Sequence, residues 1–414
     1  MNDRRQVVVT GIGAVTPIGS GGGGALYEGV RRERSAITRV TRFDPSSFSS
    51  QVAGEVADFD PAAYIAPRRL RRLDRYAQMA VVCARLAIDD AGLRLDKENR
   101  DAIGCFVGSA LGGVAFAEEQ YAVFLTEGAR HVRPTLALSV FCGAGSCNVA
   151  IEYDLRGPAS ANSDSCSSGA IAIGHAFRVV RDGYADVMLA GGIEAPLAPL
   201  TFGAFDLIHA MSTHNDEPGR ACRPFDRTRN GFVMAEGGAF LVLESLEHAR
   251  RREAPIYGTV LGFGFSNDAY HMTAPLPSGE QAARAMRLAL AEAGIAPEEA
   301  DCINAHGSGT PLNDATETLA IKQVLGDHAY RIPVSATKAM HGHSLGAAGA
   351  IEAAISFVGL RHGYVPPTLN LRVPDEACDL DYVTACGREM PLRYVLSNSF
   401  GFGGINASLV FGAP

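Results

Sequence analysis

The segment Cys166-Ser-Ser-Gly-Ala-Ile-Ala-Ile-Gly174 has a counterpart in the second half of the chain, His343-Ser-Leu-Gly-Ala-Ala-Gly-Ala-Ile351. Each follows a polar turn, and each predicts the start of a helix built from small residues. Because glycine lets backbones approach closely, the pair predicts two similar halves that meet at a pseudo-twofold axis, with both helix N-termini near one site. We expect the charged stretch Glu244 to Glu253 to join an N-terminal half, residues 1–253, to a C-terminal half, residues 254–414.

Short apolar segments rich in β-branched residues alternate with longer Ala/Leu segments of helical period, which predicts an α/β protein with largely buried strands. One helix has signals at both ends, because Ser278 and Gln281 predict a capping box and Gly294 predicts a C-cap. Strands are predicted at Val7 to Thr10, Ile103 to Val107, Val187 to Ala190, Phe240 to Leu243, Ile256 to Phe263, Cys302 to Ala305, Ile332 to Ser335, Tyr394 to Ser397 and Ser408 to Phe411.

The composition is globular, with 414 residues, 47% hydrophobic residues, 20% charged residues and a mean hydropathy of +0.06. A net charge of −8 argues against nucleic acid as a partner, because phosphate binding depends on clustered Lys and Arg. The apolar segment Gln6 to Thr10 is too short for a signal peptide or a membrane span. Nine scattered cysteines without a CxxC pair predict reduced thiols, and hence a cytoplasmic protein with no membrane partner.

Cys166 lies in Asn162-Ser-Asp-Ser-Cys-Ser-Ser-Gly169, a segment of small polar residues suited to a sharp turn into a helix. At a helix N-terminus the dipole and the free backbone N–H groups favour the thiolate, which makes the thiol a nucleophile. The alternative is a buried structural cysteine. The local sequence leaves both interpretations open.

Two further clusters are ambiguous when each is taken alone. Asn304 to Thr310 places His306 between a predicted strand and small hydroxyl residues, where a histidine is more often structural than catalytic. Ser397 to Asn406 is a glycine-rich turn with two aromatic residues, but no P-loop lysine follows it.

The remaining cluster, Ser335 to Gly349, supplies Lys338 and His343 around a helix start. It also contains Gly342-His-Ser-Leu-Gly346, a match to the nucleophile elbow of serine hydrolases and acyltransferases. An elbow needs a strand that runs directly into the serine turn, whereas small and polar residues separate the predicted strand from His343. A serine acyltransferase is therefore the alternative to a cysteine enzyme.

Taken together and in their order along the chain, which is the Cys166 turn, Asn304 to Thr310, Ser335 to Gly349 and Ser397 to Asn406, the four clusters resemble the β-ketoacyl-acyl-carrier-protein synthases over nearly the whole chain. The chain looks most like the elongating synthase II of bacterial type II fatty acid synthesis, with the ketosynthase-α subunits of type II polyketide synthases as the alternative. The resemblance implies the thiolase fold, in which two similar βαβαβ-type halves form a five-layered αβαβα arrangement. It also implies a homodimer, or a heterodimer with a chain-length factor, and no cofactor.

The activity that the resemblance implies is a decarboxylative Claisen condensation. Cys166 would carry an acyl chain as a thioester and condense it with malonyl-acyl carrier protein, giving β-ketoacyl-acyl carrier protein and CO2. His306 and His343 would hold the malonyl carbonyl. The backbone N–H groups of Cys166 and Phe402 would stabilise the oxyanion of the thioester.

The resemblance to the β-ketoacyl-acyl-carrier-protein synthases implies roles for further residues. Lys338 would act with Glu352 as a fixed charge pair behind the histidines. The basic segment Pro67 to Arg75 predicts a helix with its arginines on one side, which would dock acyl- and malonyl-loaded carrier protein. The docking residues would be Arg68, Arg69 and Arg72. The substrate-binding residues would be Leu111, Ser165, Thr201, Phe205, Ser308, Thr310 and Phe400.

Several positions depart from the family pattern, among them Ser308 and Gly309 in place of Thr-Ser, Ile405 in place of Thr, and an extra histidine at His341. Two further departures bear on the acyl chain. Ser165 precedes the nucleophile where relatives usually carry Ala, and Thr201 stands where relatives of the fatty-acid type commonly have Gly. The side chain and hydroxyl of Thr201 would narrow an apolar acyl tunnel. We therefore expect a preference for acyl groups below about sixteen carbons or for a polyene. The choice between a fatty acid and a polyketide pathway stays open.

Overall fold

The computed structural model describes residues 4–414. The strands are β1 Val7–Thr16, β2 Gly19–Gly22, β3 Thr38–Arg39, β4 Val52–Ala53, β5 Ile103–Gly108, β6 Ala159–Asn162, β7 Val187–Glu194, β8 Gly237–Ser245, β9 Gly258–Asn267, β10 Cys302–Asn304, β11 Val334–Ser335, β12 Tyr364–Val365, β13 Arg388–Glu389, β14 Tyr394–Gly401 and β15 Ile405–Gly412. The α-helices are α1 Gly23–Arg31, α2 Pro67–Leu70, α3 Arg75–Asp90, α4 Val114–Glu127, α5 Leu136–Ser139, α6 Ala144–Tyr153, α7 Ser168–Arg181, α8 Pro199–Leu207, α9 Leu246–Arg251, α10 Glu280–Ala293, α11 Pro311–Leu325, α12 Lys338–His341 and α13 Ala348–His362.

A single mixed sheet runs through the molecule, and each half of the chain contributes a run of neighbouring strands to it. The N-terminal strands follow the order β6-β5-β7-β8-β1, and the C-terminal strands follow the order β11-β10-β14-β15-β9. In both halves a parallel pair (β5 with β7, β10 with β14) is followed by an antiparallel pair (β7 with β8, β14 with β15). The halves join where β1 pairs with β9, with Val7 opposite Val260.

Helices α7 and α13 lie between the two halves of this sheet. Alternate residues of β7 point to opposite faces, so that Val187 and Leu189 pack in the core with α3 while Met188 and Ala190 pack in the core with α7 and α13. Helix α10 packs against β9 and β15 of the C-terminal half. The resulting order of α3, sheet, α7 with α13, sheet and α10 is five-layered.

The two central helices meet through small residues. A Cβ added at Gly169 of α7 would lie 3.0 Å from the Cβ of Ala350, and a Cβ added at Gly349 of α13 would lie 2.9 Å from the Cβ of Ala170. The two contacts are equivalent when the halves are exchanged. This confirms that the two small-residue segments form closely packed helices near a pseudo-twofold axis, whereas the division at residue 253 stays a prediction.

Each predicted strand is a strand in the structure, although several begin or end elsewhere. Helix α10 ends at Gly294, which has the predicted left-handed conformation. The predicted capping box is wrong. Gly279, with φ 65, is the N-cap, and the Ser278 hydroxyl accepts only from the backbone N–H of Glu280, at 3.4 Å. A left-handed glycine places the serine one residue too early to act as the cap.

Two longer-range expectations also need correction. The segment Pro67 to Arg75 is not one helix, because α2 stops at Leu70 and Asp74 caps a new helix, α3, by accepting from the backbone N–H of Ala77 at 3.2 Å. The stretch Glu244 to Glu253 begins inside β8, where its first residue is fully buried, and continues as α9. Within residues 4–414 no helix is long and apolar enough to cross a membrane.

Candidate active site

The predicted nucleophile turn is present at the start of α7. Cys166 lies in a one-turn 3-10 helix, Ser165–Ser167, that runs directly into α7. Ser165 adopts the left-handed backbone conformation, with φ 54, which turns the chain sharply before Cys166. The hydroxyl of Ser167 donates to the carbonyl oxygen of Ser399 at 2.9 Å and ties this turn to β14.

Cys166 opens onto a cavity of about 320 Å³. The predicted site residues that line it are Cys166, Phe205, His306, Ser308, Thr310, His343, Phe400 and Phe402. They come from both halves of the chain, so the cavity lies where the halves meet.

His343 is in direct contact with the thiol. Its Nε2 lies 3.2 Å from the sulfur of Cys166. Its backbone is fixed on both sides, because its N–H donates to the carbonyl of Val233 at 2.7 Å and its carbonyl accepts from the N–H of Ala235 at 2.9 Å. The His306 ring stands edge-on to the His343 ring, with the ring centroids 5.4 Å apart.

The Lys338 side chain is fully buried and lies against His306. Its Nζ donates to the carbonyl oxygen of His306 at 2.6 Å, forms an ion pair with Glu352, and lies 3.4 Å from Nδ1 of His306. An ammonium group only donates. A hydrogen bond to Nδ1 therefore leaves the proton of a neutral His306 on Nε2.

The protonation of the site follows from burial. Desolvation, and then the charge of Lys338, lower the pKa of His306 and of His343 well below the usual value, so both rings are neutral at physiological pH. Burial raises the pKa of the Cys166 thiol, while Ser165 and Lys338 act in the opposite direction. The resting site therefore holds a thiol beside a neutral imidazole.

Backbone N–H groups face the sulfur from the glycine-rich turn. The N–H of Phe402 is directed at the Cys166 sulfur, and Gly401 leaves room in front of the Cys166 nitrogen, since an added Cβ would lie 3.1 Å from it. Gly403 needs a positive φ, 79, for the chain to make this turn. Such an arrangement accepts a developing oxyanion.

One buried carboxylate of the site was missed by the sequence analysis. Glu317 accepts from the backbone N–H groups of His306 and Gly307, both at 2.8 Å, and from the side chain of Asn398 at 3.2 Å. The sequence feature that could have indicated a buried carboxylate is that Glu317 follows Asp314 by one turn, on a helix face whose other buried residues are mostly apolar.

Three predicted substrate positions do not line the cavity. Leu111 packs against the apolar cluster that contains Cys166, and the Ser165 hydroxyl lies 3.8 Å from the sulfur of that cysteine. Thr201 donates both its hydroxyl and its backbone N–H to Glu118, at 2.5 and 2.7 Å. Their role in an acyl tunnel stays a prediction.

The geometry does not support the nucleophile elbow. Ser344 is 1% exposed, its hydroxyl has no hydrogen-bond partner among the described residues, and it does not line the cavity. A serine nucleophile needs a base within hydrogen-bond reach. His343 instead directs its Nε2 to Cys166.

Known families match both halves of the chain. The N-terminal domain of the beta-ketoacyl synthases matches residues 4–249, and their C-terminal domain matches residues 257–372. The chain belongs to the β-ketoacyl synthase family. The β-ketoacyl synthase is 46% identical over 408 residues to 3-oxoacyl-[acyl-carrier-protein] synthase 2 of Coxiella burnetii, covering 99% of this chain and 98% of that protein. It is 44% identical over 418 residues to a putative polyketide beta-ketoacyl synthase 1 of Streptomyces halstedii, with the same coverage.

Solved ketosynthases confirm the predicted fold class. A chain of the ishigamide ketosynthase/chain length factor superposes on this β-ketoacyl synthase with a TM-score of 0.93 and 38% identity, covering 99% of this chain and 100% of that chain. A type II polyketide ketosynthase, solved with its acyl-carrier protein and bound to a hexaketide, superposes with a TM-score of 0.89 and 35% identity over 100% of both chains. The predicted enzyme class, an acyltransferase of the ketosynthase type, is confirmed with the fold.

The buried ion pair of this β-ketoacyl synthase gives a stability test. Replacing Lys338 with Met leaves Glu352 buried without its counter-charge, which should lower the free energy of unfolding by about 3–5 kcal/mol. Burial already raises the pKa of Glu352, to about 7, and Lys338 opposes this rise. A buried acid whose pKa is raised in the folded protein makes the protein less stable as pH rises. Lys338→Met should therefore lower the free energy of unfolding more at about pH 9 than at about pH 6.

Urea unfolding of Lys338→Met and of Lys338→Met/Glu352→Gln at both pH values measures this effect. The double variant should recover part of the loss at the higher pH. A deficit that is the same at both pH values, or unchanged in the double variant, would contradict this account of the pair.

Proposed function

We propose that this chain condenses an acyl group held on Cys166 with malonyl-acyl carrier protein, giving β-ketoacyl-acyl carrier protein and CO2 in type II fatty acid synthesis. The observation that carries the proposal is the contact of 3.2 Å between Nε2 of His343 and the Cys166 sulfur, with His306 in the same cavity. The relatives named 3-oxoacyl-[acyl-carrier-protein] synthase 2 support the substrate class. Nine free cysteines support a reducing, cytoplasmic environment.

The first step transfers the acyl chain to the enzyme. The Cys166 thiol gives its proton to a base, for which Nε2 of His343 is in position, and the sulfur attacks the thioester carbon of the acyl carrier protein. The oxyanion forms against the N–H groups of Cys166 and Phe402. As it collapses, the carrier thiolate leaves and takes up the proton.

The second step creates the carbon nucleophile. The carbonyl oxygen of malonyl-acyl carrier protein accepts a hydrogen bond from Nε2–H of His306, whose other ring nitrogen faces Lys338. His343 donates the second bond in its Nε2–H tautomer. The bond to the carboxylate breaks, CO2 leaves, and the electron pair becomes an enolate that these donors stabilise. The enolate carbon attacks the thioester, and the Cys166 thiolate leaves and is reprotonated by water.

A homodimer is proposed on the basis of an open sheet edge and an apolar surface. Strand β6 pairs only with β5, so its other edge is unpaired in the single chain. Several exposed apolar side chains lie in α4 and in the segment that contains and follows α5. They include Tyr121, Phe124, Leu125, Leu138 and Phe141. An apolar surface of this kind marks a protein interface, and a chain-length factor is the alternative partner.

A polyketide or polyene ketosynthase is the second candidate. Similarity to the ishigamide ketosynthase/chain length factor and to the Streptomyces halstedii protein favours it. The Thr201 hydroxyl is held by Glu118, so only the size of this side chain, and not an unsatisfied polar group, would narrow the tunnel.

Replacing Cys166 or the histidines should separate the proposed steps. Cys166→Ala should abolish acyl loading, measured as the mass of the intact protein after incubation with acyl carrier protein. Cys166→Gln, which mimics the acylated state, should keep malonyl decarboxylation.

His306→Ala and His343→Ala should each lower the rate of condensation by about two to three decades and lower the rate of acyl loading less. Loading lost in Ser344→Ala but retained in Cys166→Ala, or normal decarboxylation in the double histidine variant, would contradict the assignment.

Charge reversal tests the carrier-protein surface. Arg68 and Arg72 are exposed, whereas Arg69 is held by Asn148 at 2.8 Å and by Glu152 at 3.4 Å. Arg68→Glu/Arg72→Glu should therefore raise KM for carrier-protein substrates more than Arg69→Glu does, and added salt should raise the wild-type KM.

The matched control is Arg284→Glu, an exposed arginine on the outer helix α10. It should leave KM unchanged. If small pantetheine thioesters lost as much activity as carrier-protein substrates, docking would not be the cause.

A ladder of saturated acyl carrier proteins tests the chain-length prediction. Condensation by the wild type should decline above about sixteen carbons because Thr201 narrows the tunnel. Thr201→Gly should extend the range toward longer chains. A wild type that already prefers the longest chains, together with an unchanged variant, would place Thr201 outside the tunnel and favour the fatty acid pathway.

A further inference from the structure

The two halves present equivalent turns at the centre of the molecule. Ser165 and Leu345 both have left-handed backbone conformations, with φ 54 and 42. Each begins a one-turn 3-10 helix that leads into a central helix, α7 in the first half and α13 in the second. Cys166, the second residue of the first turn, therefore corresponds to Gly346 in the second.

The strands that end beside these turns differ in one side chain. Strand β14 ends at Gly401, and an added Cβ there would lie 3.1 Å from the backbone nitrogen of Cys166. Strand β7 ends at Glu194, whose Oε2 accepts from the backbone N–H of Gly346 at 3.0 Å. The N–H that begins α7 thus faces a residue without a side chain, whereas the corresponding N–H of α13 is covered by a carboxylate.

Glu194 is fully buried, and its hydrogen-bond partners are all donors. In addition to Gly346, it accepts from the Ser109 hydroxyl at 3.0 Å and from the backbone N–H groups of Ala110 and Leu111 at 2.7 and 3.1 Å. Burial raises the pKa of Glu194 to about 7, and these four donors oppose that rise because they stabilise the ionised carboxylate, which only accepts. One carboxylate therefore links the loop after β5 to the turn after His343.

We infer that Glu194 is a positioning residue for condensation, and that its carboxylate fills the anion-binding end of α13 and holds the turn that carries His343. The inference rests on the proposed function of the cavity. Of the two equivalent turns at the centre of the described residues, the turn at Gly346 has its backbone N–H covered by Glu194. The turn at Cys166 is then the one that can bind an anion.

A physical reason follows from the chemistry of malonyl thioesters. The substrate carries a carboxylate that must leave as CO2, and the N-terminus of a helix stabilises an anion. Leu345, the first residue of the α13 turn, lines the cavity. An uncovered α13 terminus would stabilise the malonyl carboxylate in the ground state and raise the barrier to its loss. Glu194 occupies that terminus permanently.

Glu194→Gln tests the inference. The amide keeps the size of the side chain, but in either orientation its NH2 group meets a backbone N–H that has lost its acceptor, Leu111 in one and Ala110 with Gly346 in the other. The loop after β5 and the turn after His343 therefore lose part of their shared anchor. We expect kcat for condensation to fall about a hundredfold, with a smaller change in KM, because the His343 turn is displaced. Asp226→Asn is the matched control. That buried carboxylate also accepts from backbone N–H groups, and it does not line the cavity.

Alkylation of Cys166 by iodoacetamide is the second readout. Burial is the main cause that raises the pKa of this thiol, and the Glu194 charge adds to the rise, while Ser165 and Lys338 lower it. The pH midpoint of alkylation should therefore be lower in Glu194→Gln than in the wild type, and unchanged in Asp226→Asn. Both variants should lose some stability to urea.

The two measurements separate a failure of the inference about Glu194 from a failure of the proposed function. A wild-type midpoint and wild-type kcat in Glu194→Gln would overturn the inference and leave this residue a structural role. A shifted midpoint in a chain whose wild type does not condense acyl groups would refute the proposed function but not the positioning. Should Glu194→Gln fail to fold, Gly401→Ala closes the open turn instead. It should block acyl loading, and normal loading would overturn the contrast between the two turns.

Discussion

The close approach of α7 and α13 is the constraint on which the active site depends. Gly169 and Gly349 leave no side chain between the helices, so their N-termini end at the same cavity. Cys166 lies just before one helix and His343 just before the other, which brings Nε2 of the histidine within 3.2 Å of the sulfur although the residues are far apart in the chain. A methyl group at either glycine would have to displace the opposite helix, and the contact between thiol and imidazole would be lost with it.

The electrostatics of the site depend on one buried cation. Lys338 is fixed between His306 and Glu352, and its charge adds to the effect of burial, which is the main reason that both imidazoles are neutral. Neutral rings act either as acceptor or as donor according to the tautomer, which suits a site that takes a proton in one step and stabilises an enolate in the next. Glu317 contributes in another way, by holding the His306 backbone.

The sequence predicted those features that are local in the chain. Buried strands, the turn before Cys166 and the C-cap at Gly294 depend on residues next to one another, and the structure has them. The packing of the two small-residue helices was predicted from the internal repeat, and the grouping of Cys166 with the histidines from the family resemblance. The partners of individual buried carboxylates were not predicted, because no local pattern records which donor a carboxylate will meet. Glu317, Glu194 and the partner of Thr201 are of this kind. The capping box at Ser278 and the single arginine helix failed for a related reason, since one residue, Gly279 or Asp74, moved the helix start.

The order of assembly follows from the position of β1. This strand precedes the other described strands in the chain, yet it lies in the middle of the sheet and pairs with β8 and β9, for instance Val7 with Ser245 and with Val260. Pairing over such separations delays folding until β9 has been made. A nascent chain that ends at α9 contains Cys166 but neither His343 nor the turn at Phe402. The Cys166 thiol therefore stays without its imidazole contact, and without the N–H of Phe402, until the second half has been made.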